Sequence, residues 1–299
     1  MKKIFLTIAN AVLALTLSAA PAELKNSSMQ ITVQPENGGK ITAMRSPGFS
    51  FQLSPEQIRK NTPGLGKVRV FGDNAEYMFG KWETVGKSDR SLVLRIAGQP
   101  PQRNLEITKT YSLPSDGNYV KVELKLKNRK PIEGGFKVVP WIHNAFLPGS
   151  GAHTFYLAHR NGVEQMDFNP KLTVQSALKN PGNWILSFSP EQRQGLLLVS
   201  ENTPEAVYCF ASKNISSLEM LFPAVDPTQE KSIVFYLAPV AELNSNALNG
   251  TGIPVKLNPA FSAQHSPGEK IDVISYFKNA GENLDSIVFF TWGRKPGLT

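Results

Sequence analysis

A single cysteine, Cys209, stands in the 299 residues, so the chain can close no disulfide within itself and can build no thiolate-rich zinc site. Cys209 lies in Ala206-Val207-Tyr208-Cys209-Phe210, an apolar run that reads as a buried strand and makes the thiol a core side chain rather than a nucleophile. Charge is sparse, at 19% of residues, and scattered. The densest basic group, Lys121, Lys125, Lys127, Arg129 and Lys130, alternates with Val122, Leu124 and Leu126, which puts the cations on the solvent side of a strand. Nucleic-acid binding calls for a concentrated basic patch with stacking aromatics, and no nucleic-acid partner is expected. Glycine-rich phosphate loops and the G-x-S-x-G elbow are missing, which removes the nucleotide-binding and hydrolase motifs built on them. No cofactor and no metal are expected. The alternative is a metal held by His153 and His159 with Glu164 or Asp167.

Hydrophobic runs are short. The longest, from Ile4 to Leu17, follows Lys2 and Lys3 and precedes Ala20-Pro21-Ala22. That order of basic, apolar and small residues is a signal peptide, here residues 1–22, with cleavage after Ala22 or, as second choice, after Ala20. The alternative, an N-terminal anchor, would need an apolar run of roughly 20 residues. The expectation is therefore a periplasmic or extracellular protein with no transmembrane segment after cleavage. Its mature chain would carry 30 basic against 24 acidic residues.

Helical periodicity is nearly missing. The exception is Ser54-Pro55-Glu56-Gln57-Ile58-Arg59-Lys60, where Ser54 can cap, Pro55 suits the first turn and Glu56 favours the positive helix end. The rest alternates between apolar and polar residues in short runs broken by Gly, Pro and Asn. Examples are Met29 to Val33, Lys40 to Met44, Val68 to Phe71, Ala75 to Phe79, Ser91 to Ile96, Leu105 to Tyr111, Tyr119 to Leu126, Phe136 to Phe146 and Lys231 to Ala238. Many strands without intervening helices predict an all-β, large antiparallel β-sandwich. Residues 23–240 form that sandwich in this reading. Residues 241–252 are a linker. Residues 253–299 are a short C-terminal β appendage, either an incomplete immunoglobulin-like module or a part of the main sandwich.

Of four histidines, His143 ends the apolar strand Val138-Val139-Pro140-Trp141-Ile142-His143. A strand-end imidazole beside aromatics can face a cleft and exchange protons near neutral pH, or it can pack against Trp141. Glu219, in Ser217-Leu218-Glu219-Met220, alternates away from Leu218 and Met220. It points either into a cleft or into solvent. Trp82, Trp141, Trp184 and Tyr77 are candidates for stacking on a pyranose, or for core packing.

The order of these features resembles the galactose mutarotase-like superfamily, the relatives of aldose 1-epimerase. The likeness rests on the opening Gln34-Pro35-Glu36-Asn37-Gly38-Gly39-Lys40-Ile41, the middle strands Leu105 to Leu113 and Val120 to Asn128, the segment His143 to Gly149, and the closing strand Lys231 to Pro239. It implies a supersandwich over about residues 29–240 and a sugar ligand. It also implies His143 as the acid that protonates the ring oxygen and Glu219 as the base at the anomeric carbon. The family's second histidine should precede the middle strands, where this chain has none, and Arg69, Asn74 or Trp82 would bind hydroxyls there instead. Trp141, Asn144 and His153 complete the predicted binding set. The leading expectation is a secreted, monomeric carbohydrate-binding protein. The alternatives are an aldose 1-epimerase-type enzyme and a non-catalytic cell-envelope interaction domain, since the periplasmic domain of the bacterial membrane-protein insertase is similar in the same way.

Overall fold

The computed structural model describes residues 20–60, 64–70, 76–98, 105–128, 139–146, 153–159, 162–168, 174–179, 181–189, 191–212, 215–240, 272–275 and 290–292. In chain order its elements are β1 (Ala22–Lys25), β2 (Gln30–Gln34), β3 (Lys40–Ser46), β4 (Phe49–Gln52), helix α1 (Pro55–Arg59), β5 (Lys67–Val70), the helical turn α2 (Glu76–Phe79), β6 (Glu83–Lys87), β7 (Ser91–Ala97), β8 (Leu105–Ser112) and β9 (Val120–Asn128). They continue as β10 (Pro140–Phe146), β11 (His153–His159), β12 (Gly162–Phe168), β13 (Val174–Lys179), β14 (Pro181–Ser189), β15 (Gln194–Ser200), β16 (Ala206–Ser212), β17 (Ile215–Leu221), β18 (Glu230–Val240), β19 (Asp272–Ser275) and β20 (Phe290–Trp292).

The strands form a four-stranded sheet β1-β2-β3-β4, a five-stranded sheet β13-β16-β17-β10-β5, a nine-stranded sheet β12-β11-β14-β15-β18-β9-β8-β7-β6 and the hairpin β19-β20. Every described pair is antiparallel, as strands joined by short turns must be. The two larger sheets face each other. Ile142, Val207, Cys209, Leu218 and Met220 of the five-stranded sheet share one buried cluster with Val122, Leu124, Ile185, Leu198 and Phe235 of the nine-stranded sheet. The four-stranded sheet adds Leu24, Ile31, Met44 and Phe51 to that cluster. Each such side chain contributes about 1.5–3 kcal/mol by leaving water, and the period-two pattern of β8 and β9 shows why these strands turn one face inward. The buried Asn26 links distant parts: its amide donates to the carbonyls of Pro114 at 2.8 Å and Gly117 at 2.9 Å, in the turn between β8 and β9.

Three expectations need correction. Glu76–Phe79 is a helical turn, not a strand; a short apolar run has no period to tell the two apart, and α2 links strands of two different sheets. Ala22 is not outside the fold: it is buried, opens β1 and pairs with Val33. Strands β12 and β13, absent from the sequence reading, lie in polar sequence where alternation is faint. Within 253–299 only β19 and β20 are described, and they pair with each other. The linker 241–252 lies outside the described residues.

Helix α1 carries the expected cap and more. Ser54 Oγ accepts from the Gln57 N–H at 3.2 Å, while Gln57 Oε1 accepts from the Ser54 N–H at 2.7 Å, the reciprocal capping box. None of its residues is buried, so Ser54→Ala should lower unfolding free energy by about 1 kcal/mol or less, read as a small fall in Tm.

Candidate functional site

The outward face of the five-stranded sheet carries a polar and aromatic group. Alternation sets it: Ile142, Leu218, Met220 and Val207 point into the core, so Trp141, His143, Glu219 and Tyr208 point the other way. Register then brings them together. His143 lies directly opposite Glu219 on β17 and opposite Lys67 on β5. Trp141 faces Arg69, and Glu219 faces Tyr208.

His143 Nδ1 is 3.2 Å from Glu219 Oε1, with side chains only 10% and 14% exposed. Ser217 donates its hydroxyl to the same carboxylate oxygen at 2.8 Å. A carboxylate accepting from Nδ1–H fixes the imidazole tautomer and leaves Nε2 as the proton acceptor. That Nε2 is buried and has no hydrogen-bond partner among the described residues. The Trp141 ring stacks 4.8 Å from the imidazole and 5.3 Å from the Tyr208 ring. The exposed Arg69 places its guanidinium 5.4 Å from the Trp141 ring centroid. Chemically this is a histidine oriented by a carboxylate, flanked by two half-buried rings and a cation. The histidine and carboxylate touch each other rather than standing apart across a gap.

The structure thus brings together four of the predicted residues: His143, Glu219, Trp141 and Arg69. It separates the others. Asn144 points inward, is fully buried, and accepts the Gly66 N–H on Oδ1 at 2.8 Å; it ties β10 to the chain entering β5 and cannot bind a ligand on the His143 face. His153 lies on β11 of the other large sheet and is buried on the same side as Phe155, facing the core. Trp82 is 1% exposed, donates its indole N–H to the Tyr77 carbonyl at 3.2 Å, and lies beneath the Lys109 ammonium. Tyr77 is buried with its hydroxyl donating to the Leu105 carbonyl, and Trp184 is buried too. None of these three offers a stacking surface. Asn74 lies outside the described residues.

Sequence reasoning missed Tyr208 and Ser217. The signal was available: both alternate with core residues on the same strands as Cys209 and Leu218. A surface cleft of about 700 Å³ opens elsewhere, beside Glu36, Lys81, Trp82, Glu83, Arg95 and Glu106. None of its lining residues belongs to the five-stranded sheet, and two ion pairs cross it, Lys81–Glu36 at 3.0 Å and Arg95–Glu83 at 2.8 Å. Among the described residues, no group of three or more His, Cys, Asp or Glu is placed to hold a metal ion.

No family model matches the chain, and no curated protein matches its sequence. Solved structures do. A putative aldose 1-epimerase from Escherichia coli K12 superposes with a TM-score of 0.55 at 14% identity, over 74% of this chain and 98% of that one. A galactose mutarotase-like protein from Lactobacillus casei matches with a TM-score of 0.53 at 12% identity, over 74% of this chain and all of its own, 100%. The fold is galactose mutarotase-like. A third neighbour of this mutarotase-like fold, an aldose epimerase homologue from C. elegans, matches with a TM-score of 0.53 at 11% identity. About three quarters of this chain therefore spans entire mutarotase-like domains, as the sequence resemblance implied. No helix among the described residues is long and apolar enough to cross a membrane.

Proposed function

We propose that this is a secreted carbohydrate-binding protein whose ligand lies on the outward face of the five-stranded sheet, against Trp141 and Tyr208, with His143, Glu219 and Arg69 binding its hydroxyls. The observation that carries this reading is the register-paired His143–Glu219 contact beside two ring faces, on a mutarotase-like sandwich. An apolar pyranose face suits an aromatic ring, and its hydroxyls suit the charged groups around it.

A second reading is an aldose 1-epimerase-type isomerase. The His143 tautomer favours it: Glu219 holds Nδ1, and Nε2 is left to take or give a proton. In this arrangement Glu219 acts through His143 as a positioning residue rather than as an independent base.

Secretion is supported by Lys2, Lys3, the run from Ile4 to Leu17 and the Ala20-Pro21-Ala22 site. Because Ala22 is buried in β1, cleavage after Ala20 keeps that strand whole, and it replaces Ala22 as the favoured site.

The test is calorimetry of the secreted protein against a glycan panel, beside polarimetry of α-glucose and α-galactose. His143→Gln should weaken binding roughly 5- to 10-fold, the scale of one hydrogen bond. Any mutarotation should fall by about 100-fold or more in the same variant, the scale of general acid–base catalysis. A folded wild type that binds no glycan rejects the carbohydrate reading.

A further inference from the structure

Strand β5 brings two cations to the outward face of the five-stranded sheet. Lys67 lies opposite His143, and Arg69 lies opposite Trp141. Residues paired across antiparallel strands share a face. Val68, between the two cations, turns inward and joins the core with Ile142. Lys67 and Arg69 therefore stand on the side of His143 and Glu219.

Neither cation meets a carboxylate among the described residues. The exposed Arg69 guanidinium rests 5.4 Å from the Trp141 ring centroid and makes no ion pair or hydrogen bond to a described residue. Lys67 is fully buried, and its Nζ has no hydrogen-bond partner among the described residues; it lies 3.9 Å from the Phe79 ring centroid. A lysine is almost never fully buried unless it is paired. Lys109 shows how a buried amine is ordinarily satisfied: it donates to the carbonyls of Gly38, Gly39 and Gly66 at 3.2, 3.0 and 2.8 Å. Lys67, the residue after Gly66, has no such cradle. Burial, and then the charge of Lys40, hold its amine down to about 7, and no described acid offsets them.

The acid of this face is already engaged. The two rows of paired residues that carry the site, from Lys67 across to Tyr208 and from Arg69 across to Ala206, contain one acid, Glu219. Its carboxylate is held by His143 Nδ1 and by the Ser217 hydroxyl. A neutral sugar leaves both cations of β5 as they are. A carboxylate on the sugar ring would pair with the planar Arg69 fork through charge-assisted hydrogen bonds. Phe79 lies over the Lys67 amine, so Lys67 acts on that carboxylate through its field and not by contact, in a buried setting where a charge reaches further than in water.

We propose that the ligand of this face is an acidic sugar of the uronic acid class, with its carboxylate on Arg69 and its preference over neutral sugars set by Arg69 and, through the field, by Lys67. The inference rests on the carbohydrate reading above.

The test is titration calorimetry of the full secreted protein with galacturonate and glucuronate, beside galactose, glucose and glucose 6-phosphate. The uronates should bind at least about 10-fold more tightly than the neutral sugars, the scale of one hydrogen bond to a charged group, and added sodium chloride should shrink that preference. Arg69→Gln should bring the ratio of the two affinities close to that of no preference. Lys67→Met, which keeps the length of the side chain and removes the amine, should lower the ratio roughly 3- to 5-fold, as the loss of a charge that makes no contact does. Circular dichroism checks that both variants are folded. Equal affinity of the wild type for uronates and neutral sugars overturns the inference and leaves the carbohydrate reading standing. A preference for glucose 6-phosphate over both uronates overturns it too, as does a uronate preference that both variants keep. A folded wild type that binds none of these sugars overturns the carbohydrate reading and the inference with it.

Discussion

Between pH 7 and pH 10 this protein should gain stability, on the order of a few kcal/mol, and Lys67→Met should remove much of that gain by stabilising the protein at neutral pH. Three lysines, Lys40, Lys67 and Lys109, are fully buried. Burial first, and then the charge of Lys40, hold the Lys67 amine down to about 7. Burial holds Lys40 down to about 8. Lys109 is pushed well below the usual lysine range by burial and by the charge of Lys67. Lys67 Nζ has no hydrogen-bond partner among the described residues and rests instead 3.9 Å from the Phe79 ring centroid, a cation–π contact worth about 1–2 kcal/mol.

The sign follows from proton counting. In the unfolded chain these amines titrate near 10.4. Below about pH 7 both states carry the protons on Lys67 and Lys40, and the desolvation penalty is present in full. From about 7 upward the folded state releases protons that the unfolded state keeps, so unfolding free energy rises with pH. Near pH 10 the trend reverses, because burial raises the Tyr111 and Tyr236 hydroxyls above their ordinary value and the unfolded state ionises its tyrosines first. Urea unfolding from pH 6 to pH 11 should thus show a maximum near pH 10. At about 1.4 kcal/mol per pKa unit, reduced for relaxation and for the lost ring contact, Lys67→Met should add roughly 1–3 kcal/mol at pH 7 and flatten the slope. A variant with the wild-type slope would show that Lys67 is not the source of it.

The alternation that made the fold legible also locates one of these lysines. Leu105, Ile107, Lys109 and Tyr111 occupy successive inward positions of β8, so a lysine at an apolar register was visible in the sequence. What the sequence could not show is that Lys40 and Lys67, on strands of the other two sheets, are buried as well. The site divides the same way. Glu219 was legible because it alternates away from Leu218 and Met220, His143 and Trp141 because they end an apolar strand, and Arg69 through the family resemblance alone. The pairing of His143 with Glu219 depends on the register between β10 and β17, which neither strand encodes alone. Asn144 should have been excluded at once, since a neighbour of His143 on a strand faces the opposite side. Trp82 and His153 could not be excluded that way; they were lost to burial by elements distant in sequence. The helical turn at α2 was misread because four apolar-rich residues carry no period.

Gly38→Ala should destabilise the protein by about 3–5 kcal/mol, against no more than about 1 kcal/mol for Gly86→Ala. Gly38 sits at φ +75°, and an added Cβ would lie 2.0 Å from the Met78 carbonyl oxygen and 2.9 Å from its carbon. The obstacle is backbone, so no rotamer relieves it. An alanine at this φ costs roughly 1–2 kcal/mol before any clash. Moving the turn would also disturb a cradle of carbonyls: Lys109 Nζ donates to Gly38, Gly39 and Gly66 at 3.2, 3.0 and 2.8 Å, and the Tyr111 hydroxyl donates to Gly39 at 2.6 Å. Each such hydrogen bond is worth about 0.5–1.5 kcal/mol. A Cβ at Gly86 would meet only the Val93 side chain, at an ordinary contact distance of 3.9 Å, which makes it the matched control. The cradle also reaches the proposed sugar site. Gly66, which accepts from Lys109, donates its N–H to Asn144, and the next residue, Lys67, pairs with His143 in register. A Gly38→Ala protein that still folds should therefore bind sugar more weakly than wild type, while Gly86→Ala binds normally. Urea midpoints and the same calorimetric panel measure both effects. A Gly38→Ala variant within 1 kcal/mol of wild type would show that the turn shifts freely and that Lys109 does not tie it to the strand beside His143.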